Sequence, residues 1–299
     1  MLTIKPAQAF GVLLGLAILC LVPATLPAQG LIWSLPEKEG TWIRYEGTYQ
    51  QIEFRPKNRG NAKDLPVGKR TFTWNRNLTI KSLVTPAEQR TAKFHGRDVT
   101  CRWIELKVET GKASTESEGR LDPGPGGTRL YKVLIPESQI FGTLVNDRSV
   151  DTIGIPVAFL PIIRGYRKIG NRKEEEIKTK VLQIYPSISL LKHYRELKPE
   201  TDQPEDPGLG EDLGAINAIK LIGVAQVQSR IAKSEHETAI WRSQDVPFGL
   251  ARWSVKITRS RKRFTEPRSS FGNGLRTETK VEMKAVEIGT DAKSELAVQ

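Results

Sequence analysis

Apolar and polar residues alternate with a period of two along most of this chain, which is the pattern of strands that bury one face. In the clearest segment, Ala251, Trp253, Val255 and Ile257 point one way while charged and hydroxyl-bearing residues point the other. The same alternation recurs over 43–49, 72–80, 99–108, 219–231 and 281–285. Connections rich in Gly, Pro, Asn and Asp separate these segments, as expected between strands. The pattern predicts a mainly β protein with an antiparallel sheet.

The middle of the chain departs from this alternation. Residues 153–163 are apolar, but Pro156 and Pro161 prevent a regular helix there because each lacks a backbone donor. These residues either belong to the core or cover the sheet as a lid that contacts a ligand. Further on, apolar residues recur at helical spacing and predict a helix over about 187–198; they are Leu190, Leu191, Tyr194 and Leu197.

Two later segments have no periodic pattern. Residues 199–212 contain six acidic residues, three prolines and no basic residue, which predicts an exposed acidic loop. Such a loop is either a solvated connection or a cover for a cationic site. Residues 291–299 follow the last predicted strand, and we expect them to form a flexible tail.

The first 28 residues have the pattern of an export signal. Lys5 precedes an apolar run over 10–22, and small residues lead to a cleavage site near Ala28. The run is shorter than the roughly 20 residues that span a bilayer. We therefore predict a signal peptide over 1–28 and a single mainly β domain over 29–290, exported to the periplasm or the extracellular space. Lipid attachment at Cys20 is the alternative, which the bulky Leu19 before it disfavours.

The composition adds a basic charge to this picture. The formal net charge of the whole chain is +12, while 38% hydrophobic and 27% charged residues are ordinary for a globular protein. The densest positive stretch is predicted to contact an anionic surface such as an envelope polymer, or else to form a solvated hairpin tip; it comprises Arg259, Arg261, Lys262 and Arg263. Phe264 is the only aromatic residue beside it, so we expect no nucleic-acid partner.

The residues that usually carry catalysis or bind metals form no recognisable motif. Cys101 is the only cysteine after residue 28, and its place in a strand pattern predicts a packed thiol. His95, His193 and His236 lack the spacing of metal ligands, and no nucleophile elbow or phosphate loop is present. We therefore expect a protein that is not an enzyme and has no metal or cofactor. Two acids distant in sequence that meet in space would be the exception.

The segment 241–253 resembles a late hairpin of the bacterial lipoprotein-carrier superfamily. The matching positions are a strand-ending tryptophan, a Val-Pro-x-Gly turn and the start of an apolar strand; they are Trp241, Val246, Pro247, Gly249 and Leu250. Pro247 ends one strand, and Gly249 permits the reversal into the next. The resemblance implies a curved, incomplete antiparallel barrel with one or two helices on its concave side, where relatives hold acyl chains.

These observations together predict an exported, non-catalytic binding or carrier protein for an apolar or amphipathic, lipid-like ligand. Six residues are expected to contact the ligand, three of them tryptophans that would line one concave apolar face: Trp103, Phe159, Ile162, Trp241, Phe248 and Trp253. The alternative is an envelope-associated structural or interaction module that contacts anionic polymers and binds no small ligand. An exported hydrolase ranks third, since no convincing catalytic motif is present.

Overall fold

The computed structural model describes residues 30–55, 68–112, 127–146, 155–273 and 275–297. The predicted signal peptide over 1–28 lies outside the described residues. Strands dominate, and the α-helical residues of the described ranges form one short helix, α1 (Tyr185–Ser189). Single 3₁₀ turns or short 3₁₀ helices occur at Ala87–Gln89, Glu137–Gln139, Glu211–Leu213, Pro247–Gly249 and Arg268–Asn273. The strands are β1 (Trp42–Arg55), β2 (Gly68–Ser82), β3 (Thr91–Phe94), β4 (Arg97–Lys112), β5 (Gly127–Pro136), β6 (Thr143–Asn146), β7 (Pro156–Pro161), β8 (Arg164–Ile169), β9 (Glu175–Glu176), β10 (Val181–Leu182), β11 (Lys198–Pro199), β12 (Ile219–Gln228), β13 (Ala232–Arg242), β14 (Leu250–Arg261) and β15 (Leu275–Gly289).

One antiparallel sheet contains twelve of these strands and does not close into a barrel. Its order is β11-β12-β13-β14-β15-β1-β2-β4-β5-β8-β9, and β3 pairs with β4 off this path. The first and last strands of the order, β11 and β9, are short. Strands β6, β7 and β10 form a separate three-stranded sheet. The predicted mainly β, antiparallel fold is therefore confirmed.

Alternation along the strands gives the large sheet two different faces. The inner face carries the main core, to which Tyr45, Leu78 and Trp253 contribute fully buried side chains. The outer face carries a smaller group that we call the outer cluster: Leu83, Cys101, Trp103, Leu130, Leu134, Tyr166 and Leu296. Cys101 is a buried free thiol, as predicted, and burial raises its pKa.

The apolar segment predicted over 153–163 belongs to the core from Ile155 onward. Val157 and Leu160 are fully buried, and β7 begins at Pro156 and ends at Pro161. Proline is tolerated at such strand ends because no ladder hydrogen bond from its nitrogen is needed. The prediction that no helix forms here is confirmed for the described part of the segment.

The predicted helix over 187–198 is wrong beyond residue 189. Leu190 adopts a left-handed conformation with φ of 59° and ends α1. The carbonyl groups of Ile188 and Ser189 then accept hydrogen bonds from side chains of the sheet, so the helix does not need to continue. The apolar residues behind the helical spacing are nevertheless buried, namely Leu191, Tyr194 and Leu197. The spacing therefore indicated burial correctly and conformation incorrectly.

The predicted flexible tail over 291–299 is wrong for residues 292–296. The amide of Ala292 donates to the carbonyl of Gly40 (2.8 Å), and Leu296 is 1% exposed in the outer cluster. Residues 298–299 lie outside the described residues.

This docked tail covers a carboxylate on the outer face. Glu105 of β4 is 0% exposed and accepts a hydrogen bond from the Ser294 hydroxyl (2.7 Å). The amide of Glu295 donates to the same carboxylate (3.0 Å), and Lys81 Nζ lies 3.1 Å from it. A buried charge needs such partners, so the tail is part of the folded structure.

The acidic loop predicted over 199–212 is mostly exposed but is attached to the sheet. Glu205 pairs with Ala218 through backbone hydrogen bonds, and its carboxylate accepts one from Trp241 Nε1 (2.7 Å). The carbonyl of Pro207 accepts another from Arg252 (3.1 Å). Acidic composition predicted solvent exposure correctly, while these contacts involve partners distant in sequence.

Candidate functional site

One continuous segment, residues 177–197, crosses the inner face of the sheet from edge to edge; we call it the strap. It follows β9 at one edge of the sheet order and leads into β11 at the other. Its apolar side chains belong to the main core: Leu182, Tyr185, Ile188, Leu191, Tyr194 and Leu197. The inner face, which the sequence led us to expect as a ligand cavity, is therefore filled along its middle by the chain itself.

Buried polar groups fix the strap to its surroundings. The Tyr185 hydroxyl accepts hydrogen bonds from the amides of Leu31 and Ile32, each at 2.9 Å. Trp253 Nε1 donates to the carbonyl of Ser189 (3.2 Å). Because these donors lie in the core, losing their acceptors would leave them without water as a substitute.

Arg76 of β2 also holds the strap, through Nη1 bonded to the carbonyl of Ile188 (2.9 Å). Its side chain is almost fully buried, with the guanidinium 5.2 Å from the centroid of the Tyr49 ring. Burial lowers the pKa of Arg76 to about 10; Tyr49 opposes this effect, and the charge of Arg129 adds to it. An arginine is therefore buried on the inner face close to a second one.

The strap approaches β12 closely at Gly223. A Cβ atom at this position would lie 2.8 Å from Cγ of Tyr194 and 3.0 Å from Cδ1 of Leu197. Contacts this short do not occur for real Cβ atoms, so the space that Gly223 leaves is occupied by the strap and is not available to a ligand.

A groove with a volume of about 830 Å³ lies on the β5 and β8 side of the strap, and we call it the arginine groove. Apolar side chains from the sheet and the strap line it, including Tyr131, Ile169, Ile177, Leu182 and Ile184. Its cationic residues are Arg129, Arg167 and Lys178. The groove thus combines an apolar lining with positive charge.

The two arginines of this groove have different partners. Arg167 is bonded to Glu175 through Nε (3.0 Å) and Nη2 (2.8 Å). Arg129 is hydrogen-bonded to the Tyr131 hydroxyl, but its buried Nε has no hydrogen-bond partner in the described part of the chain. Burial raises the pKa of Tyr131, although both arginines favour the ionised phenol.

A second groove of about 720 Å³ lies at the other end of the strap, beside β11 and β12 at this edge of the sheet; we call it the edge groove. Its apolar lining includes Ile155, Ile222, Ala225 and Val227, and its polar residues are His193, Arg195, Glu196 and Lys198. Burial lowers the pKa of His193, and the neighbouring charge of Arg195 lowers it further. Both effects favour the neutral form of the imidazole.

The structure does not bring the six predicted ligand-contact residues together. Trp253 lies opposite Ile240 on the inner face, whereas Trp241 lies opposite Arg252 on the other face of the strand pair, where it is buried beside Glu205 of the acidic loop. Trp103 is also on the outer face, in the outer cluster. The expectation that the three tryptophans share one concave face is wrong, because neighbouring strand residues point to opposite faces.

The other three predicted contacts lie in or beside the core. Phe248 and Ile162 are buried in the main core, and Phe159 is half-buried on β7. None of the six predicted ligand-contact residues lines the arginine groove or the edge groove.

The predicted anionic-surface residues are placed at the end of β14 and just beyond it. Arg259 is half-buried, whereas Arg261 and Arg263 are exposed. Lys262 is buried, and its ammonium donates to the carbonyl of Glu266 (2.6 Å), so it does not belong to the basic surface.

A neighbouring hairpin extends this basic surface. Arg230 lies with its guanidinium 3.5 Å from the centroid of the exposed Phe264 ring, and Arg268 lines the same cavity of about 850 Å³. We call the exposed residues Arg230, Arg261, Arg263 and Arg268 the basic tip.

Arg129 and Tyr131, which line the arginine groove, were not predicted as site residues. A usable signal was present, because Arg129 shares the strand parity of Tyr131, Val133 and Ile135, all of which are buried. A charged residue in register with a core-facing row is unusual and indicates a special environment. Arg76 gave the same signal within the apolar row of β2.

The described residues show neither a metal-binding cluster nor a helix that could cross a membrane. No group of three or more His, Cys, Asp or Glu side chains there is arranged to hold a metal ion. Nor does that part of the chain contain a helix of the length and apolarity needed to cross a bilayer.

Comparisons with known proteins give little further information. No model of a known protein family matches the sequence, and no curated protein matches it either. Among solved structures, one of lipovitellin, described for its lipid–protein interactions, is similar with a TM-score of 0.31 and 10% sequence identity. The match covers 87% of this chain and 26% of the lipovitellin chain. A similarity at this level carries no argument about ligand or family.

Proposed function

We propose that this protein is a non-catalytic binding protein or carrier for an apolar or amphipathic, lipid-like ligand, which it holds beside the strap. The observation that supports this most directly is the arginine groove, where apolar side chains and cationic groups line one space of about 830 Å³. Sites for small molecules are usually mostly apolar, with few polar groups, and measure about 300–1,000 Å³. The resemblance of 241–253 to lipoprotein carriers is compatible with this proposal.

The physical basis of the proposed affinity is burial of an alkyl chain against the strap. Each methylene removed from water contributes about 0.8 kcal/mol, so a short chain lying along Ile177 and Ile184 gains several kcal/mol before the entropy loss of binding. The edge groove, with a volume of about 720 Å³, offers a second apolar surface.

The test is binding of N-phenyl-1-naphthylamine, an uncharged fluorescent probe, to the mature protein. Ile184→Glu places a charge in the arginine groove, and Val227→Glu does so in the edge groove. Val84→Glu makes the same kind of change at a side chain that is 68% exposed and lines neither groove. We expect saturable binding that Ile184→Glu weakens at least about tenfold and Val84→Glu leaves unchanged. A protein that ignores the probe, and that yields no copurified lipid by mass spectrometry, would refute the proposal.

We further propose that the protein acts after export, as its first 28 residues suggest. Expression of the full chain in a bacterium, followed by intact-mass measurement, tests this directly. A mature form lacking residues 1–28 in the periplasm or medium is expected. An intact chain retained in the cytoplasm would contradict the proposed localisation while leaving ligand binding open to its own test.

The second candidate function is contact with an anionic envelope polymer through the basic tip. The observation that favours it is that Arg230 precedes β13 where Ala232 lies opposite Arg261, and that the neighbouring Lys262 amide donates to the carbonyl of Ile231, so basic residues of two neighbouring connections lie close together. Double substitution of Arg261 and Arg263 by Gln should abolish salt-sensitive cosedimentation with envelope polymers. The matched control neutralises Lys93 and Arg97, which are exposed on the β3–β4 hairpin. Equal effects of the two pairs would reject a specific role for the tip.

A further inference from the structure

Two guanidinium groups on the inner face have no matching negative charge beside them. The two arginines lie on strands separated by β4. On β5, Arg129 is opposite Val108 of β4, and Val108 is opposite Leu78 of β2, which is two residues from Arg76. Each arginine has a buried Nε with no hydrogen-bond partner among the described residues. Neither is part of an ion pair with a carboxylate in that part of the chain. Buried like charges are unfavourable unless an anion compensates them.

Only one of the two arginines opens onto a space that could hold an anion. Arg129 lines the arginine groove, whereas Arg76 is 4% exposed and is committed to the strap through the Ile188 carbonyl. Arg76 therefore adds positive charge behind the groove without lining it.

The acids of the arginine groove do not neutralise Arg129. Glu175 is engaged by Arg167 at 2.8 Å, and Glu176 is an exposed residue of the edge strand β9. The strap contributes the apolar side chains of Leu182 and Ile184 to the same groove that Arg129 lines. Positive charge and apolar surface therefore adjoin each other within the groove.

We propose that the arginine groove selects an amphiphile with an anionic head group, a carboxylate or a phosphate monoester, bound by Arg129. The alkyl chain lies along Leu182 and Ile184. This inference rests on the proposed function and adds the chemical class of the ligand. The planar fork of a guanidinium pairs with both oxygens of a carboxylate or phosphate, and such charge-assisted bonds are about twice as strong as neutral ones. Binding would also give the buried Nε of Arg129 a partner.

The experiment compares three ligands of equal chain length, decanoate, decyl phosphate and decanol, with inorganic phosphate as a fourth. Calorimetric titrations use the mature protein and concentrations below micelle formation. The variants are Arg129→Gln, which removes the charge, and Arg129→Lys, which keeps the charge but loses the fork. Arg97→Gln removes an exposed charge on the β3–β4 hairpin and serves as the control. Thermal unfolding by circular dichroism establishes that each variant is folded.

We expect decanoate and decyl phosphate to bind at least about tenfold more tightly than decanol, and inorganic phosphate to bind more weakly than both. Arg129→Gln should remove the advantage of the anionic ligands and leave decanol unchanged, with Arg129→Lys intermediate and Arg97→Gln unaffected. If Arg129→Gln fails to fold, the Arg129→Lys titrations decide: loss of at least about threefold for the anions supports the proposal, and no loss overturns it.

Three other results would overturn this inference in distinguishable ways. Equal affinity for decanoate and decanol, insensitive to residue 129, rejects the anionic head group while the proposed function stands. Inorganic phosphate that binds as tightly as decyl phosphate identifies a free-anion site and rejects the amphiphile. Absence of binding by all three decyl compounds rejects the proposed function and this inference with it.

Discussion

Leu296→Ala tests whether the C-terminal tail is docked as the structure shows. Leu296 is 1% exposed and packs in the outer cluster, while the neighbouring Ser294 and Glu295 bind the buried carboxylate of Glu105. Truncation of a buried leucine to alanine costs about 2–5 kcal/mol. Because residues 292–297 have no regular secondary structure and adjust to a small cavity more easily than the middle of a sheet, we expect a loss of about 2–3 kcal/mol.

The assay is urea unfolding of the protein followed by tryptophan fluorescence. In thermal unfolding of a protein of this size, the same loss of free energy corresponds to a decrease in Tm of about 4–12 °C. Leu144→Ala is the control, since it makes the same change at a side chain that is 46% exposed, and it should alter the free energy of unfolding by no more than about 0.5 kcal/mol. A loss for Leu296→Ala no larger than that of the control would show that the tail is not held, and would refute the reasoning.

Three further predictions concern the inner face and the outer cluster. Burial raises the pKa of three tyrosines (Tyr45, Tyr185 and Tyr194). Tyrosines ionise near pH 10 in the unfolded chain, so the contribution of these three to stability is complete below pH 10. Above pH 10 it is lost by up to roughly 4 kcal/mol per pH unit, because the unfolded chain releases the three protons first. Urea unfolding between pH 8 and 11 measures this loss, and a free energy of unfolding that stays constant would contradict it. Gly223→Ala should lower the free energy of unfolding by about 1–3 kcal/mol, because the new methyl group displaces the strap. Gly210→Ala, with open space around it, should be neutral or slightly stabilising in the same urea assay. Equal effects of the two substitutions would be inconsistent with the packed strap. Cys101 should react with a thiol reagent only in denaturant, because burial raises its pKa, and rapid labelling of the folded protein would disprove its placement.

The strands were predictable because their signal is local. Alternation over 250–261 reports the two faces of β14 directly, and the hairpin predicted around Pro247 and Gly249 is confirmed by the pairing of β13 with β14. Gly249 has φ of 74°, a conformation that favours glycine. The neighbouring strand faces were not predictable in the same way, since placing Trp241 opposite Arg252 requires the register of two strands, which includes a shift at this hairpin.

The features that the sequence did not predict depend on distant partners. Glu105 and Ser294 are 189 residues apart, and neither gives a local sign of the other. The strap likewise has helical spacing, but its conformation follows from Arg76, whose hydrogen bond to Ile188 spans 112 residues. Of the candidate site, a lipid-like ligand was expected from the sequence and stays a proposal, whereas the position of the grooves follows from the path of the strap.

The neighbouring positions of β1 and β15 at the centre of the sheet have a consequence for how this protein forms. Trp42 lies opposite Gly289, so β1 lacks one of its two partner strands until β15 has been synthesised. The pairing of β1 with β15 thus joins strands distant in sequence, and such contacts are typical of slow folding. A nascent chain that does not yet contain β15 therefore leaves one edge of β1 without its partner strand.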